Sequence, residues 1–447
     1  TLGWLPRLTR VTARVPGLAT VANAIMSIAP LRSLAFRMIG LDPRRGMPAL
    51  QSGTFTAWAR RRSLLADSVP AGDAASSFTA TSGTATPAAA APSAASSAAA
   101  SSAAATDARE RDGAPASPGP TRECDGVPAS PTPASPGPTR ERDGAPTSPT
   151  PASPGPTRER DGVPTSPTPA SSGSTRKRDG VPASSVADSP ILSGPRDPSG
   201  RPYALVWADS FSQTLDDAGA RAVVDVLEAN GFAPIVAPDT CCGLTWITTG
   251  QLTGAKKHLS SLLAVLAPFA ASGIPIVGVE PSCTAVLRDD LLDLLPEDPR
   301  SMLVSGATRT LAEVLSAVPA SERRLPSLEG VEIVAQPHCH HYSVMGWDTD
   351  QALLESLGAR VTRLEGCCGL AGNFGMEAGH YDLSVAVASH SLLPSLSAQP
   401  DAVYLADGFS CRTQAAQLAG RGGVHLATLL AGRGGVHLAT PLAGHAD

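Results

Sequence analysis

Residues 73–200 hold 22 of the 42 prolines in this 447-residue chain and a single aromatic side chain, Phe78. Such a stretch cannot bury enough apolar area to offset the entropy of ordering it, so one compact globule is excluded. The stretch also repeats. Arg122-Glu123-Cys124, Arg140-Glu141-Arg142, Arg158-Glu159-Arg160 and Arg176-Lys177-Arg178 stand 18 residues apart, each followed by Asp-Gly and a Pro-Ala-Ser or Pro-Thr-Ser tract. No solenoid combines this period with this much proline, and the reading is a disordered spacer with extended polyproline-like runs. Cys124 sits where the next two copies carry Arg and is excluded from any site.

Charge narrows little. With 35 basic and 40 acidic residues the net charge is −5, and no concentrated basic face marks a nucleic-acid partner. The longest apolar stretch, 22–40, is interrupted by Arg32 and Arg37, so no transmembrane segment is expected. The chain opens on Thr without a signal-peptide layout, which reads as a fragment whose true N-terminus lies upstream. The expected location is cytoplasmic, with peripheral attachment at the inner face of the membrane as the alternative. Residues 1–66 read as a basic helical segment packed against another part of the same protein. A helix lying on a membrane surface is the weaker reading.

From Pro202 the composition changes and alternating strand and helix periods begin. Strands are expected at 203–208, 234–237, 274–279, 331–335, 360–364 and 402–406. Helices are expected at 215–230, 251–271, near 284–294 and 308–318, at 348–357, near 376–397 and from 411. Strands alternating with helices imply crossover connections and mostly parallel sheets. The element order occurs twice. The expected fold is therefore α/β, with two similar halves at 201–325 and 326–430, each a mostly parallel sheet flanked by helices. The tail at 431–447 copies the Ala-Gly-Arg-Gly-Gly-Val-His-Leu-Ala-Thr of 419–428 and reads as a duplication scar.

Seven of the eight cysteines fall in this region, each just past a predicted strand. Cys241 and Cys242 follow the second strand, Cys283 the third, Cys339 the fourth, Cys367 and Cys368 the fifth, and Cys411 the sixth. In open parallel α/β sheets that edge binds ligands. Cys-Cys-Gly stands 40 residues before a further Cys in the first half and 42 before one in the second. Adjacent cysteines rarely bond each other. Thiolates converging at a sheet edge suit a soft metal, as iron–sulfur or zinc. The Gly after each pair permits a tight turn. Gly369, Gly372 and Gly375 lack the spacing of a phosphate loop. His338, His340 and His341 flank Cys339 and could ligate metal, tune a cluster through hydrogen bonds to sulfur, or cap the strand. The tuning role is preferred.

These residues resemble a known family. Cys-Cys-Gly with a downstream Cys, present twice, is similar to the cysteine-rich CCG domain of heterodisulfide reductases and of glycolate and lactate oxidase iron–sulfur subunits. Glu280-Pro-Ser-Cys283, His338-Cys-His340, Gly366-Cys-Cys-Gly-Leu-Ala-Gly-Asn-Phe-Gly375 and Asp407-Gly-Phe-Ser-Cys-Arg412 resemble the C-terminal part of large fused FAD/iron–sulfur D-lactate or D-2-hydroxyacid dehydrogenases. The resemblance covers about 202–440 strongly and 1–66 more weakly. The family pattern has a Cys upstream of each pair and a closing Cys-x-x-Cys. Here Asp209-Ser210 stands at the first upstream position, and Glu280 and Gly408 take the first place of each Cys-x-x-Cys.

The resemblance implies an iron–sulfur electron-transfer module of an FAD-dependent D-2-hydroxyacid dehydrogenase, most readily of D-lactate type. Cys339, Cys367, Cys368 and Cys411 suffice for a [4Fe–4S] cluster or for zinc. Cys241, Cys242 and Cys283 lack a fourth ligand. They could carry no cluster, share one, or recruit Asp209 or Glu280. His338, His340 and Arg412 would neighbour the cofactor, Arg412 offsetting cluster charge. FAD and ferredoxin-like domains would lie upstream in the same polypeptide, with residues 1–66 leading to them. The acceptor would be a quinone, a cytochrome or a soluble carrier. The rival readings are a structural zinc or degenerate-cluster docking domain, a heterodisulfide-reductase-like thiol–disulfide module, and a binding scaffold.

Overall fold

The computed structural model describes residues 5–70 and 191–432. The 18-residue repeats, with the rest of the expected spacer up to 190, and the duplicated tail past 432 lie outside the described residues. Seven short strands alternate with helices from residue 203 onward. They are β1 (Tyr203–Trp207), β2 (Ala233–Val236), β3 (Ile276–Gly278), β4 (Thr308–Arg309), β5 (Glu332–Ala335), β6 (Arg360–Arg363) and β7 (Val403–Leu405). They form two sheets, ordered β2-β1-β3-β4 and β6-β5-β7, and every pairing is parallel. The second order repeats the first three positions of the first, so the doubled α/β pattern is borne out.

The period-2 alternation of a strand decides which core each residue joins. On β1, Ala204 and Val206 face the helix Ala218–Ala229, whereas Leu205 and Trp207 pack with the helix Leu252–Ala271 on the other side. On the second sheet, Ile333, Ala335 and Leu405 join the same cluster as Ala204 and Val206, and Val334 and Tyr404 face away from it. The two sheets therefore share one core, with the helices Ala218–Ala229, Leu311–Ser316 and Leu426–Leu430 contributing to it.

Several details differ from expectation. The helix expected near 308–318 opens instead as β4, a two-residue strand with no periodic signal, and is helical over Leu311–Ser316, and the helix Pro299–Ala307 is additional to those expected. The helix expected near 376–397 is two helices, Tyr381–Ala388 and Leu392–Ala398. Pro394 explains the break, because it has no N–H to continue an unbroken helical ladder. Residues 191–200, expected inside the spacer, pack on the α/β region. Ile191 and Leu192 lie against the shared core, Arg196 bridges Pro202, and Asp197 pairs with Arg201 at 2.9 Å.

The N-terminal segment forms the helices Leu5–Arg14, Leu18–Ser27, Ala29–Ile39 and Phe55–Arg61, and it packs on the α/β region as expected. Phe55 and Ala59 enter the shared core, and Ala66 N–H donates to the Val236 carbonyl at 3.0 Å. Among the described residues no single helix is long and apolar enough to cross a membrane.

Candidate metal centre

Each of the seven cysteines lies past the carboxyl end of its strand, as the sequence predicts: Cys241 and Cys242 after β2, Cys283 after β3, Cys339 after β5, Cys367 and Cys368 after β6, Cys411 after β7. All seven are free thiols. Cys242, Cys283, Cys368 and Cys411 are buried, while Cys241, Cys339 and Cys367 are partly open. The two Cys-Cys-Gly turns are built alike. Gly243 and Gly369 adopt φ of +78° and +91°, a region that strains any residue with a Cβ. That turn aims the Gly243 N–H at Cys241 Sγ, 3.5 Å away, and the Gly369 N–H at Cys367 Sγ, 3.3 Å away.

In the second half the thiols interact along a run, Cys339 with Cys367, Cys367 with Cys368, and Cys368 with Cys411. Cys367 is pulled down to about 2 by its contacts with Cys339 and Cys368, with the Gly369 N–H helping, and Cys339 and Cys368 are pushed up in turn. Crowded thiolates repel, so one sulfur takes the charge while its neighbours keep their protons. Ionising the whole set requires a cationic centre among them.

Spacing bears on which centre fits. Four thiolates about 2.3 Å from a tetrahedral zinc stand about 3.8 Å from one another. Among the described residues the one trio of metal-ligating atoms within 4.8 Å of one another is His341, Asp350 and Asp407, so no three sulfurs are that close. The donor set, all thiol and set at one sheet edge, fits iron–sulfur ligation.

The non-cysteine positions are each accounted for. Gly408 holds the first place of a Cys-x-x-Cys, but the His338 ring occupies the room a side chain would need. A Cβ on Gly408 would stand 2.5 Å from His338 Cδ2 and 3.3 Å from Cys411 Sγ. His338 is buried and held down to about 3 by that burial and by His340 and His341, so it is a neutral ring, and its Nδ1 accepts from the His340 N–H at 3.2 Å. His340 meets it edge-on, ring centroids 5.3 Å apart. Arg412 directs its guanidinium at the Ala406 and Asp407 carbonyls (2.8 and 2.6 Å) and at Asp216 (2.9 Å). It braces the loop before Cys411 against the first half.

In the first half Cys241 interacts with Cys242, and Cys242 with Cys283. The interaction with Cys242 pulls Cys283 down, but burial together with the charges of Asp209, Glu280 and Cys241 outweighs it and pushes Cys283 up to about 12. The two carboxylates that sequence offers as extra ligands are already engaged. Asp209 caps the short helix Ser210–Thr214, accepting from the Phe211 N–H at 2.7 Å and Ser212 Oγ at 2.8 Å. Glu280 accepts from Ser282 Oγ at 3.0 Å and from the Phe409 N–H at 2.9 Å, joining the two halves beside Cys411. Burial and the neighbouring Asp209 push Glu280 up to about 7.

Two arginines that sequence reading left unassigned reach the thiols from the N-terminal segment. Arg10 pairs with Asp239 at 2.8 Å, donates to Ser210 Oγ at 3.1 Å, and touches Cys241. Arg45, fully buried, donates to the Gly375 carbonyl (2.7 Å), Ser384 Oγ (2.7 Å) and Gln414 Oε1 (2.8 Å), and its charge acts on Cys368. No local pattern marks either residue, since their partners are more than 190 positions away.

Comparison with known proteins gives the same direction. No family model matches the chain. It is 28% identical over 224 residues to D-2-hydroxyglutarate dehydrogenase of Escherichia coli (strain K12), covering 49% of this chain and 22% of that protein. The D-2-hydroxyglutarate dehydrogenase of Pseudomonas putida (strain KT2440) is 26% identical over 231 residues, 50% of this chain and 22% of its own. One component of the anaerobic glycerol-3-phosphate dehydrogenase of Escherichia coli (strain K12) is 27% identical over 175 residues, 37% of this chain and 43% of that component. The chain thus spans about a fifth of the first relatives and under half of the last. It is a homologue, over part of their length, of the D-2-hydroxyglutarate dehydrogenases and of that component of anaerobic glycerol-3-phosphate dehydrogenase.

Proposed function

We propose that this chain is the iron–sulfur electron-transfer module of an FAD-dependent D-2-hydroxyacid dehydrogenase. The observation that carries the reading is the run of interacting thiols Cys339, Cys367, Cys368 and Cys411 along the carboxyl edge of one parallel sheet, the number and kind of donors that a cluster takes. These four would hold the cluster, and Cys241, Cys242 and Cys283 a second or incomplete centre. A cluster bound there supplies a one-electron store between a two-electron flavin and its acceptor.

The chain's own groups set the conditions for that chemistry. The Gly369 N–H donates to Cys367 Sγ, and hydrogen bonds to sulfur favour the reduced, more negative state. Arg45 brings positive charge beneath Cys368, and Arg10 does the same beside Cys241. His338, neutral and against Gly408, fills the place of a further cysteine and excludes water there. His340 steadies that ring through its N–H.

The relatives' names support a D-2-hydroxyacid as the substrate class and put D-2-hydroxyglutarate ahead of D-lactate. Oxidation of that substrate belongs to a flavin portion carried by the remaining length of such a protein. Exposed Val21, Ile25, Leu34 and Met38 on the N-terminal helices give that portion an apolar face to cover. The acceptor is a quinone, a cytochrome or a soluble carrier.

The test is a spectroscopic redox titration of the anaerobically purified chain. The expected result is one-electron uptake with an iron–sulfur EPR signal that Cys367→Ser alters or abolishes. Uptake of no electrons by a zinc-loaded chain would overturn the reading in favour of a docking domain. Turnover of a disulfide by the chain with a reduced donor would favour the thiol–disulfide reading.

A further inference from the structure

We infer that His341, Asp350 and Asp407 form a separate site for a divalent first-row metal ion, distinct from the cysteine sets. His341 opens a π-helical turn, His341–Met345, a form that concentrates at functional positions. Asp350 lies in the first turn of the helix Asp348–Ser356, and Asp407 lies just past β7. One ligand atom from each lies within 4.8 Å of the other two. The place is internal: His341 is 3% exposed and Asp350 2%.

Three buried polar atoms there lack a protein hydrogen bond. His341 Nε2 and Asp350 Oδ2 are 3.3 Å apart, yet neither makes a hydrogen bond of acceptable geometry, and His341 Nδ1 has no partner either. A buried polar atom without a partner costs about 1–3 kcal/mol, more if charged, so three together call for an occupant. Small cavities open onto them, walled by Val279, Thr284 and Thr310 on one side and by Trp347 and Leu405 on the other.

Charge and donor type specify the occupant. A neutral imidazole with two carboxylates carries −2, which one divalent cation cancels, whereas a protonated His341 leaves one carboxylate charge uncompensated. One nitrogen with two oxygens suits manganese, iron or zinc in the divalent state and does not select the thiophilic chemistry of the cysteine sets. The neighbouring His425 is not a ligand. Its Nδ1 accepts from the Ala427 N–H at 3.0 Å and its Nε2 faces the Val279 carbonyl at 3.2 Å. The Leu426 N–H donates to Asp407 Oδ1 at 2.6 Å and fixes that carboxylate in place. Metal here would tie the segment after β5, which carries Cys339, to the loop after β7, which leads into the helix Phe409–Ala419 that carries Cys411.

Manganese is the discriminating probe, because thiolates take it poorly. The full chain, purified anaerobically and freed of loosely bound metal, is titrated with Mn²⁺ while EPR follows the free ion. The expected result is about one Mn²⁺ bound per chain, at least tenfold weaker binding in Asp350→Asn and His341→Gln, and no change in the surface variant Glu365→Gln. Pulsed EPR of Mn²⁺ on the wild-type chain with ¹⁵N-labelled histidine is expected to reveal one coordinated imidazole, which decides the matter even if a variant fails to fold. No stoichiometric uptake, uptake unchanged in both variants, or bound Mn²⁺ without an imidazole would overturn the inference and leave a buried His–Asp pair. None of these outcomes depends on the cluster reading, which the redox titration tests.

Discussion

Replacing Gly369 with Ala tests whether the Cys-Cys-Gly turn positions the sulfurs as described. Gly369 has φ +91°, and an added Cβ would stand 2.2 Å from the Ser384 carbonyl oxygen and 3.1 Å from the Ala388 nitrogen. Both are backbone atoms of the helix Tyr381–Ala388, so no side chain can swing aside. Gly366, three positions earlier, has φ +82° with nothing within 4 Å of its would-be Cβ. It is a control for backbone strain without the clash. The left-handed conformation costs a residue with a Cβ about 1–2 kcal/mol, which is the whole expectation for Gly366→Ala. Overpacking against fixed backbone adds about 1–3 kcal/mol, so Gly369→Ala is expected to lose about 2–5 kcal/mol. With a urea slope of about 3 kcal/mol/M, the midpoints fall by about 0.5 M and about 1.2 M. The turn must also move to relieve the clash, which pulls the Gly369 N–H from Cys367 Sγ and loosens the Ser384 Oγ contact to the Gly369 carbonyl, now 2.6 Å. Iron retained after anaerobic purification is therefore expected to fall in Gly369→Ala and to hold in Gly366→Ala. Equal midpoints with equal iron would refute the argument.

Glu280 predicts a pH effect. Its folded value of about 7 lies above the ordinary 4.5, so the unfolded chain loses this proton first as pH rises. Stability should fall between about pH 4.5 and 7 and stay low above that, by about 3 kcal/mol at most. Glu280→Gln, which can still meet Ser282 and Phe409, should flatten the slope in urea unfolding at pH 5 and pH 8. Restoring the family's cysteine with Gly408→Cys should not add iron, because the His338 ring fills that space; a stability loss of about 1–3 kcal/mol is expected, and a gain in iron per chain would contradict it. Removing residues 82–179, which hold the 18-residue repeats, should leave iron content and the EPR signal intact. Loss of either would show that the repeats do more than space.

Much of this was legible because it is local. The runs ending at Trp207, Ala335 and Leu405 alternate with helical periods, and Gly231, Gly273, Gly330 and Gly358, all at positive φ, punctuate them. The cysteines then fall at the carboxyl ends by counting alone. What stayed hidden depends on distant neighbours. Arg45 is a surface-type residue in a loop until Gly375, Ser384 and Gln414 close around it. Glu280 reads as a lost ligand, but its bond to the Phe409 N–H crosses 129 positions and assigns it to joining the halves. His341, Asp350 and Asp407 share no spacing pattern, and only the meeting of β5, β7 and the helix Asp348–Ser356 brings them together.

The central claim is that a cluster sits on the second half's sulfurs. Its most direct test is the iron, acid-labile sulfide and zinc content of the anaerobically purified full chain, measured beside a variant with Cys339, Cys367, Cys368 and Cys411 all changed to Ser. A cluster on that set predicts about four iron and four sulfide per chain, absent in the variant. One zinc per chain without sulfide, or iron and sulfide unchanged by the four substitutions, would contradict it.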